Sequence, residues 1–376
     1  MLFLPKSEVK YMRFCVDSTI LKDGVLSVSK ALPVRSSMPV LEGVQLVADE
    51  EGVILRCSDL TLQKEYRLPA IVEEGGECVI RGRIFSDIVR KLPDGNAFFS
   101  MDGQTLTIRC GRNVNQLQCM EYDEFPQMTF DGNDTFTITF DREKGKRIID
   151  HTAFAVALDD THPALSGVLL ESEGNTLSMV ATDSFQFAKN TISIETEAPQ
   201  KRVVVPGKTI SEIGRMLEEG EGTASLTFSR THMKADMGST VLISRLIDSD
   251  YIDYKRILPK ACKTRVLVDR EALMESVDRA QLVSRDGNNS VLFKIGSENM
   301  TVKAESIVGK VEDELTAQVM GDGLNIAFNP KFVLNVLKNV EDDKVYLECN
   351  SPINPCVIRP VNSDDYFYLV VPMRIF

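Results

Sequence analysis

A period near 124 residues runs through this chain and constrains its fold more than any other feature. Each unit opens on a short alternating segment that ends in aspartate: Phe14-Cys15-Val16-Asp17, Ile138-Thr139-Phe140-Asp141 and Val266-Leu267-Val268-Asp269. Each aspartate stands where its carboxylate can accept the free amides of a helix that follows. The spacing predicts those helices, with Ile20, Leu21 and Val25 on the buried face of the first, weakened by Gly24. Ile148, Ile149, Thr152 and Ala153 serve the second, and Leu273, Val277, Ala280 and Leu282 the third. A second landmark, Pro39-Val40-Leu41-Glu42-Gly43-Val44, returns as Pro163-Ala164-Leu165-Ser166-Gly167-Val168, and Ser58-Asp59 as Thr182-Asp183. A third is a second helix per unit, with Arg83, Lys208 and Lys331 in matching places. Strand-and-turn text fills the remainder, so each unit reads as β-α-β-β-β-α-β-β-β or close to it. Two helices must then cover one face of an antiparallel sheet, an α+β domain. The polar, turn-rich stretches near residues 131–134 and 259–261 predict three domains, 12–132, 133–260 and 261–376, with residues 1–11 as an extension.

The composition excludes several classes. No apolar run approaches the roughly 18 residues of a membrane span, and Met1–Pro5 is too short for a signal sequence, so the cytoplasm is the expected compartment. None of the eight cysteines forms a C-x-x-C pair, and the three histidines, His151, His162 and His232, belong to no ligand or catalytic motif. We expect buried, reduced thiols, no metal and no cofactor. Dinucleotide, phosphate-loop, hydrolase and zincin patterns are missing, and Gly207-Lys208-Thr209 lacks the upstream glycine of a phosphate loop. The acidic clusters read as solvated hairpin tips. An enzyme is therefore not expected.

The formal charge is −12, which argues against binding nucleic acid with the whole surface. It is unevenly spread. Over helices predicted at 18–35, 82–93, 142–157, 206–217, 270–285 and 330–339 there are 17 Lys and Arg against 8 Asp and Glu, or +9, and −21 elsewhere. The three capping aspartates reduce the helical figure to +6. Screening acts over roughly 8–10 Å at physiological salt, so a duplex beside those helices would feel mostly them.

Arg35-Ser36-Ser37-Met38-Pro39-Val40-Leu41, Ala181-Thr182-Asp183, Tyr254-Lys255-Arg256-Ile257-Leu258-Pro259 and Tyr368-Leu369-Val370-Val371-Pro372-Met373-Arg374-Ile375, with the triplicate unit, carry a resemblance. Over Met12–Phe376 the chain resembles the bacterial DNA sliding clamp, the beta subunit of DNA polymerase III. The resemblance implies a DNA-clamp fold of three similar domains, paired head to tail as a homodimeric ring around double-stranded DNA, held without regard to sequence and without chemistry. It implies as partners the catalytic subunit of the replicative polymerase, a clamp loader, and repair and ligation proteins carrying a clamp-binding peptide. Their cleft would use Leu165, Thr182, Ser184, Phe187, Ile252, Arg256, Ile257, Leu369, Val371, Pro372, Met373 and Arg374, with Asn329 and Phe332 from the third domain. Arg35 and the loop Asp159–Pro163, with His162, match family positions near the hole, and the repeat adds Arg83, Lys208 and Lys331 as DNA contacts. Two departures bear on the cleft. Ser184-Phe185-Gln186-Phe187 replaces the family's Gly or Ser followed by His-Arg-Leu, and Ile252 stands where proline is usual. The contrasting expectation is a repeat-built protein scaffold that binds no DNA.

Overall fold

The computed structural model describes residues 11–121, 124–158, 161–218, 220–259 and 261–374. The expected extension, apart from its last residue, and Asp159-Asp160 of the loop before His162 lie outside the described residues, as do Ile375 and Phe376.

Six helices follow the repeat: α1 (Ser18–Val28), α2 (Gly82–Arg90), α3 (Arg142–Ala153), α4 (Gly207–Glu218), α5 (Arg270–Ser284) and α6 (Pro330–Lys338). The first helix of each repeat starts on its predicted cap. Asp17 Oδ1 accepts the amides of Thr19 and Ile20 at 2.8 and 3.3 Å, and these bonds hold its carboxyl below the ordinary range. Asp141 accepts Lys144 N at 3.0 Å and Asp269 accepts Ala272 N at 2.9 Å. All three caps have extended backbone, with φ of −63°, −63° and −64°. The helices of each repeat pack in pairs, α1 on α2, α3 on α4 and α5 on α6.

Four predicted details need correction. The first helix ends at Val28, not residue 35, and a single 3-10 turn follows to Ala31. Leu32 is extended (ψ 131°) because Pro33 disfavours helical backbone in the residue before it. Gly24 is a packing requirement rather than a weakness, since a Cβ there would stand 2.8 Å from Tyr66 Cδ1 and 3.0 Å from Leu68 Cδ2. Leu282 is 61 % exposed: it lies nine residues past Leu273, half a turn from the buried face. Within the observed helices there are 13 Lys and Arg against 9 Asp and Glu, a net +4 instead of +9. Lys30, Arg35, Lys91 and Arg285 fall beyond the helix ends, and α4 gains Glu218.

The chain forms two compact units, Met1–Thr137 with Ala224–Arg245, and Ile138–Thr223 with Leu246–Phe376. In the first, a five-stranded sheet runs in the order Ile71–Glu74, Tyr11–Asp17, Asn96–Asp102, Thr105–Cys110, Asn113–Gln118. Met12, Phe14 and Val16 alternate inward, and Phe14 stacks on Phe99 with centroids 4.4 Å apart. A second sheet of this unit joins strand Thr240–Arg245 antiparallel to Leu62–Leu68, which carries sequence from the second repeat into the first unit. In the other unit a ten-stranded sheet links two repeats. Its long hairpin, Gly167–Thr182 and Gln186–Pro206, pairs with strand Tyr366–Val370. Sheets thus run through the expected domain boundaries, and two or more strands lie between the helices of each repeat. Among the described residues no helix is long and apolar enough to cross a membrane.

Candidate functional site

The site begins at the hairpin turn that joins Gly167–Thr182 to Gln186–Pro206. Asp183 Oδ1 accepts the amides of Phe185 and Gln186 at 2.9 and 2.8 Å, and Oδ2 accepts Gln186 Nε2 at 3.0 Å. Thr182 Oγ1 donates to the Gln186 carbonyl at 2.7 Å and accepts Ser184 N at 3.2 Å. The turn carries Ser184 at φ 75°. This self-contained network is what Thr-Asp contributes here: short polar side chains satisfy a tight turn's amides. It also sets register, so that Thr182 lies opposite Phe187, and Phe187 opposite Leu369 on the next strand.

A cavity of about 240 Å3 opens on that register. Thr182, Ser184, Gln186, Phe187, Ile252, Ile257, Pro355, Leu369 and Val371 line it. Phe187 and Leu369 form a buried floor, 2 % exposed each, whereas Ile252, Ile257 and Val371 form a rim 38–46 % exposed. Apolar side chains left this open to water at a cavity mouth are what a ligand's apolar groups can cover. Ile252 and Ile257 flank a 3-10 turn, Tyr254–Arg256. Tyr254 anchors it, 2 % exposed, with its hydroxyl donating to Glu171 Oε2 at 2.6 Å and its ring 5.6 Å from that of Phe187. Burial, with the adjacent Glu171 carboxylate, pushes the Tyr254 phenol up. A second depression of about 250 Å3 shares Ser184 and Ile252 and adds His162, Pro163, Ala164, Leu165, Ser249 and Asp250.

The structure brings seven of the fourteen expected cleft residues to the first cavity and Leu165 to the second. Arg256 is 85 % exposed and pairs with Asp253 at 2.8 Å. Asn329 caps α6, accepting Lys331 N at 3.0 Å. Phe332 stacks on Phe185, centroids 5.4 Å apart and planes 5° off parallel. Met373 N donates to the Ala327 carbonyl at 2.7 Å, which ties down Pro372 and Met373 and leaves Arg374 exposed. None of these six lines either cavity. Sequence reasoning missed Gln186 and Pro355 as lining residues. The spacing of Asp183 in the turn could have flagged Gln186, while Pro355 had no local signal. The bulk added at Phe185 and Phe187 divides: Phe185 is an exposed ring on α6, and Phe187 is both core and cavity floor.

Among the expected DNA contacts, Arg83, Lys208 and Lys331 are each the second residue of α2, α4 and α6, and all three are exposed. Arg35 is exposed in the bend beyond α1, and His162, exposed, precedes the 3-10 turn Pro163–Ser166 beside the second depression.

A larger depression, about 620 Å3, lies at α3 and the end of α4, and several of its charges pair with one another. Lys146 pairs with Asp150 and Glu218, and Arg147 Nε lies 2.8 Å from Glu341 Oε1. His151, 4 % exposed, accepts from Asn190 Nδ2 at Nδ1 (3.1 Å) and faces Glu341 Oε1 through Nε2 (3.1 Å). That arrangement suits the neutral ring with its proton on Nε2. Burial pushes this imidazole down, against the raising effect of Glu341.

Comparison with known proteins bears on the whole chain. Family models for the N-terminal, central and C-terminal domains of the DNA polymerase III beta subunit match residues 12–129, 139–253 and 255–374. The beta sliding clamp of Bacillus subtilis (strain 168) is 30 % identical over 382 residues, covering 97 % of this chain and 100 % of that protein. That of Halalkalibacterium halodurans is 31 % identical over 383 residues with the same coverage. The crystal structure of the DNA polymerase sliding clamp from Bacillus subtilis superimposes with a TM-score of 0.93 at 28 % identity, again over 97 % of this chain and 100 % of that one. With three consecutive beta-subunit domains and a helix pair repeated in each, the chain belongs to the DNA polymerase III beta subunit family, the bacterial sliding clamps, which are non-catalytic processivity factors of DNA replication.

Proposed function

We propose that two copies of this chain close into a ring around double-stranded DNA and hold partner proteins through the cavity at Phe187 and Leu369. The partners are the catalytic subunit of the replicative polymerase, a clamp loader, and repair and ligation proteins bearing a short hydrophobic peptide. The observation that carries this reading is the cavity itself: a buried apolar floor, an exposed apolar rim, and polar atoms of Thr182, Ser184 and Gln186 at one side. Two or three apolar side chains of an extended peptide fill such a site, and the polar groups orient its backbone. The three domains, 12–132, 133–260 and 261–376, supply the quasi-equivalent units that a closed ring requires.

Anisotropy with a short fluorescein-labelled peptide rich in Leu and Phe tests the cleft. Ile252→Asp changes an exposed rim residue and leaves the core alone, so it should weaken binding at least tenfold with little change in stability. Undiminished affinity refutes the cleft. Sedimentation of the full chain should give a dimer, and a monomer at micromolar concentration removes the ring.

Arg83, Lys208, Lys331, Arg35 and His162 are the proposed DNA contacts, acting on phosphates without reading bases. Replacing Arg83, Lys208 and Lys331 together by alanine should lower the salt dependence of DNA binding by a slope of about 3. An unchanged slope removes these residues from the DNA face.

A further inference from the structure

Cys349 and Cys356 face each other across the last rung of a hairpin. Strand Lys344–Cys349 pairs antiparallel with Cys356–Pro360, Glu348 opposite Val357, and that register sets position 349 against 356. Their sulfurs are 3.3 Å apart, both thiols are free, and both residues are buried. Directly opposed residues of an antiparallel pair have Cα atoms about 4.5–5.5 Å apart, inside the range that a disulfide spans. A sulfur–sulfur bond of about 2.05 Å therefore needs a contraction of little more than about 1 Å.

The pair sits directly behind the proposed cleft. Cys356 follows Pro355, a wall residue of the 240 Å3 cavity. On its other side Cys356 lies opposite Val370, between the lining residues Leu369 and Val371. The turn between the cysteines, residues 350–355, is open to solvent, with Ile353 73 % exposed. We propose that Cys349 and Cys356 form an oxidisable dithiol whose disulfide weakens partner binding in the adjoining cleft; the inference rests on the cleft reading above. The oxidant is a peroxide. One thiolate attacks the peroxide O–O bond to give a sulfenic acid and release hydroxide, which takes up a proton. The second thiol then displaces water to form the S–S bond, so two thiols and one hydrogen peroxide give one disulfide and two waters. The hydrogen bond with Cys349, followed by burial, pushes the Cys356 thiol up, so the pair is quiet at rest and reacts when the exposed turn opens. Closure draws Pro355 and Cys356 toward strand Lys344–Cys349 and away from Leu369 and Val371. A gap of about 0.5–1 Å forfeits a quarter to a half of a dispersion contact, which a ligand wedged there would lose.

The test uses the full chain carrying Cys262→Ser, which removes the exposed thiol two residues before Thr264, the residue opposite Cys349. After hydrogen peroxide, alkylation and trypsin, which leaves the Arg359–Pro360 bond intact, the peptide 345–374 holds both cysteines and no other. It should be unalkylated and about 2 Da lighter than the dithiol form. Affinity for the labelled Leu/Phe peptide should fall roughly three- to tenfold and return with dithiothreitol, and a further Cys349→Ser should make affinity indifferent to peroxide. Two alkylated cysteines after peroxide, or an oxidised affinity equal to the reduced one, overturn the inference while the cleft stands. No binding to the reduced chain removes the cleft, and this inference with it.

Discussion

The hairpin turns at Ser58–Leu62 and Thr182–Gln186 are built alike and lead to different surfaces. Asp59 Oδ1 accepts the amides of Thr61 and Leu62 at 3.0 and 2.8 Å, as Asp183 accepts those of Phe185 and Gln186. Leu60 and Ser184, 124 residues apart, hold φ of 68° and 75°. The next residue to face inward differs. In the first unit it is Gln63, opposite Ser58, whose Oε1 accepts the amide of Met128 at 2.8 Å. That bond ties Met128 to the turn, and Leu41 packs with Val79 and Phe125. In the other unit it is Phe187, opposite Thr182, which makes no such bond and shares the floor of the cavity with Leu369. The first turn thus buries a polar side chain bonded within the chain, where the second places an aromatic ring on the cavity floor. The same turn frame thus carries two different inward residues, Gln63 and Phe187.

Four measurements can break or sharpen this contrast. The largest effect is expected from Phe187→Ala, which should lower unfolding free energy by about 3–5 kcal/mol in urea titrations and abolish peptide binding. Retention of both would mean that Phe187 is not the floor. Gln63→Ala strands the buried Met128 amide and should cost about 1–3 kcal/mol without altering peptide affinity. A comparable loss of affinity would erase the distinction between the turns. The third is a pH effect at His151, in the unit with the cavity, set against a smaller burial of His232 in the other. Burial holds the folded His151 imidazole below its ordinary 6.5, so the unfolded chain takes up the proton first. Stability should therefore fall as pH drops below about 6.5, and His151→Gln should flatten that slope in thermal melts. An unchanged slope assigns the dependence elsewhere. The smallest effect is expected at the strained turn residues. Leu60→Gly relieves a left-handed leucine and should gain about 0.5–1 kcal/mol, with less gained at Ser184→Gly. Equal gains would show that the two turns store the same strain.

The three aspartate caps and the six helices were legible because each is written locally, and the repeat because its landmarks return at a spacing near 124 residues. The end of the first helix was legible too, in Pro33, although the predicted range ran past it to Arg35. The helical charge excess shrank for the same reason. Leu165, Thr182 and Leu369 entered the proposed cleft through a family resemblance, not through any pattern of their own. Pro355 could not be found in that way. It reaches the cavity because strand Cys356–Pro360 pairs with Tyr366–Val370, which in turn pairs with the hairpin at Phe187. Such placement depends on register among segments far apart in sequence, and local spacing does not encode it.

The pairing of Phe187 with Leu369 spans 182 residues of chain. During synthesis at about 5–20 residues per second, the hairpin at Phe187 waits some 10–40 seconds before its partner strand is made. Until then the floor lacks Leu369, and Phe187 is covered only by residues made earlier, Leu165 and Tyr254 among them. The cavity is therefore completed only once residue 371 has been made, however early its hairpin forms.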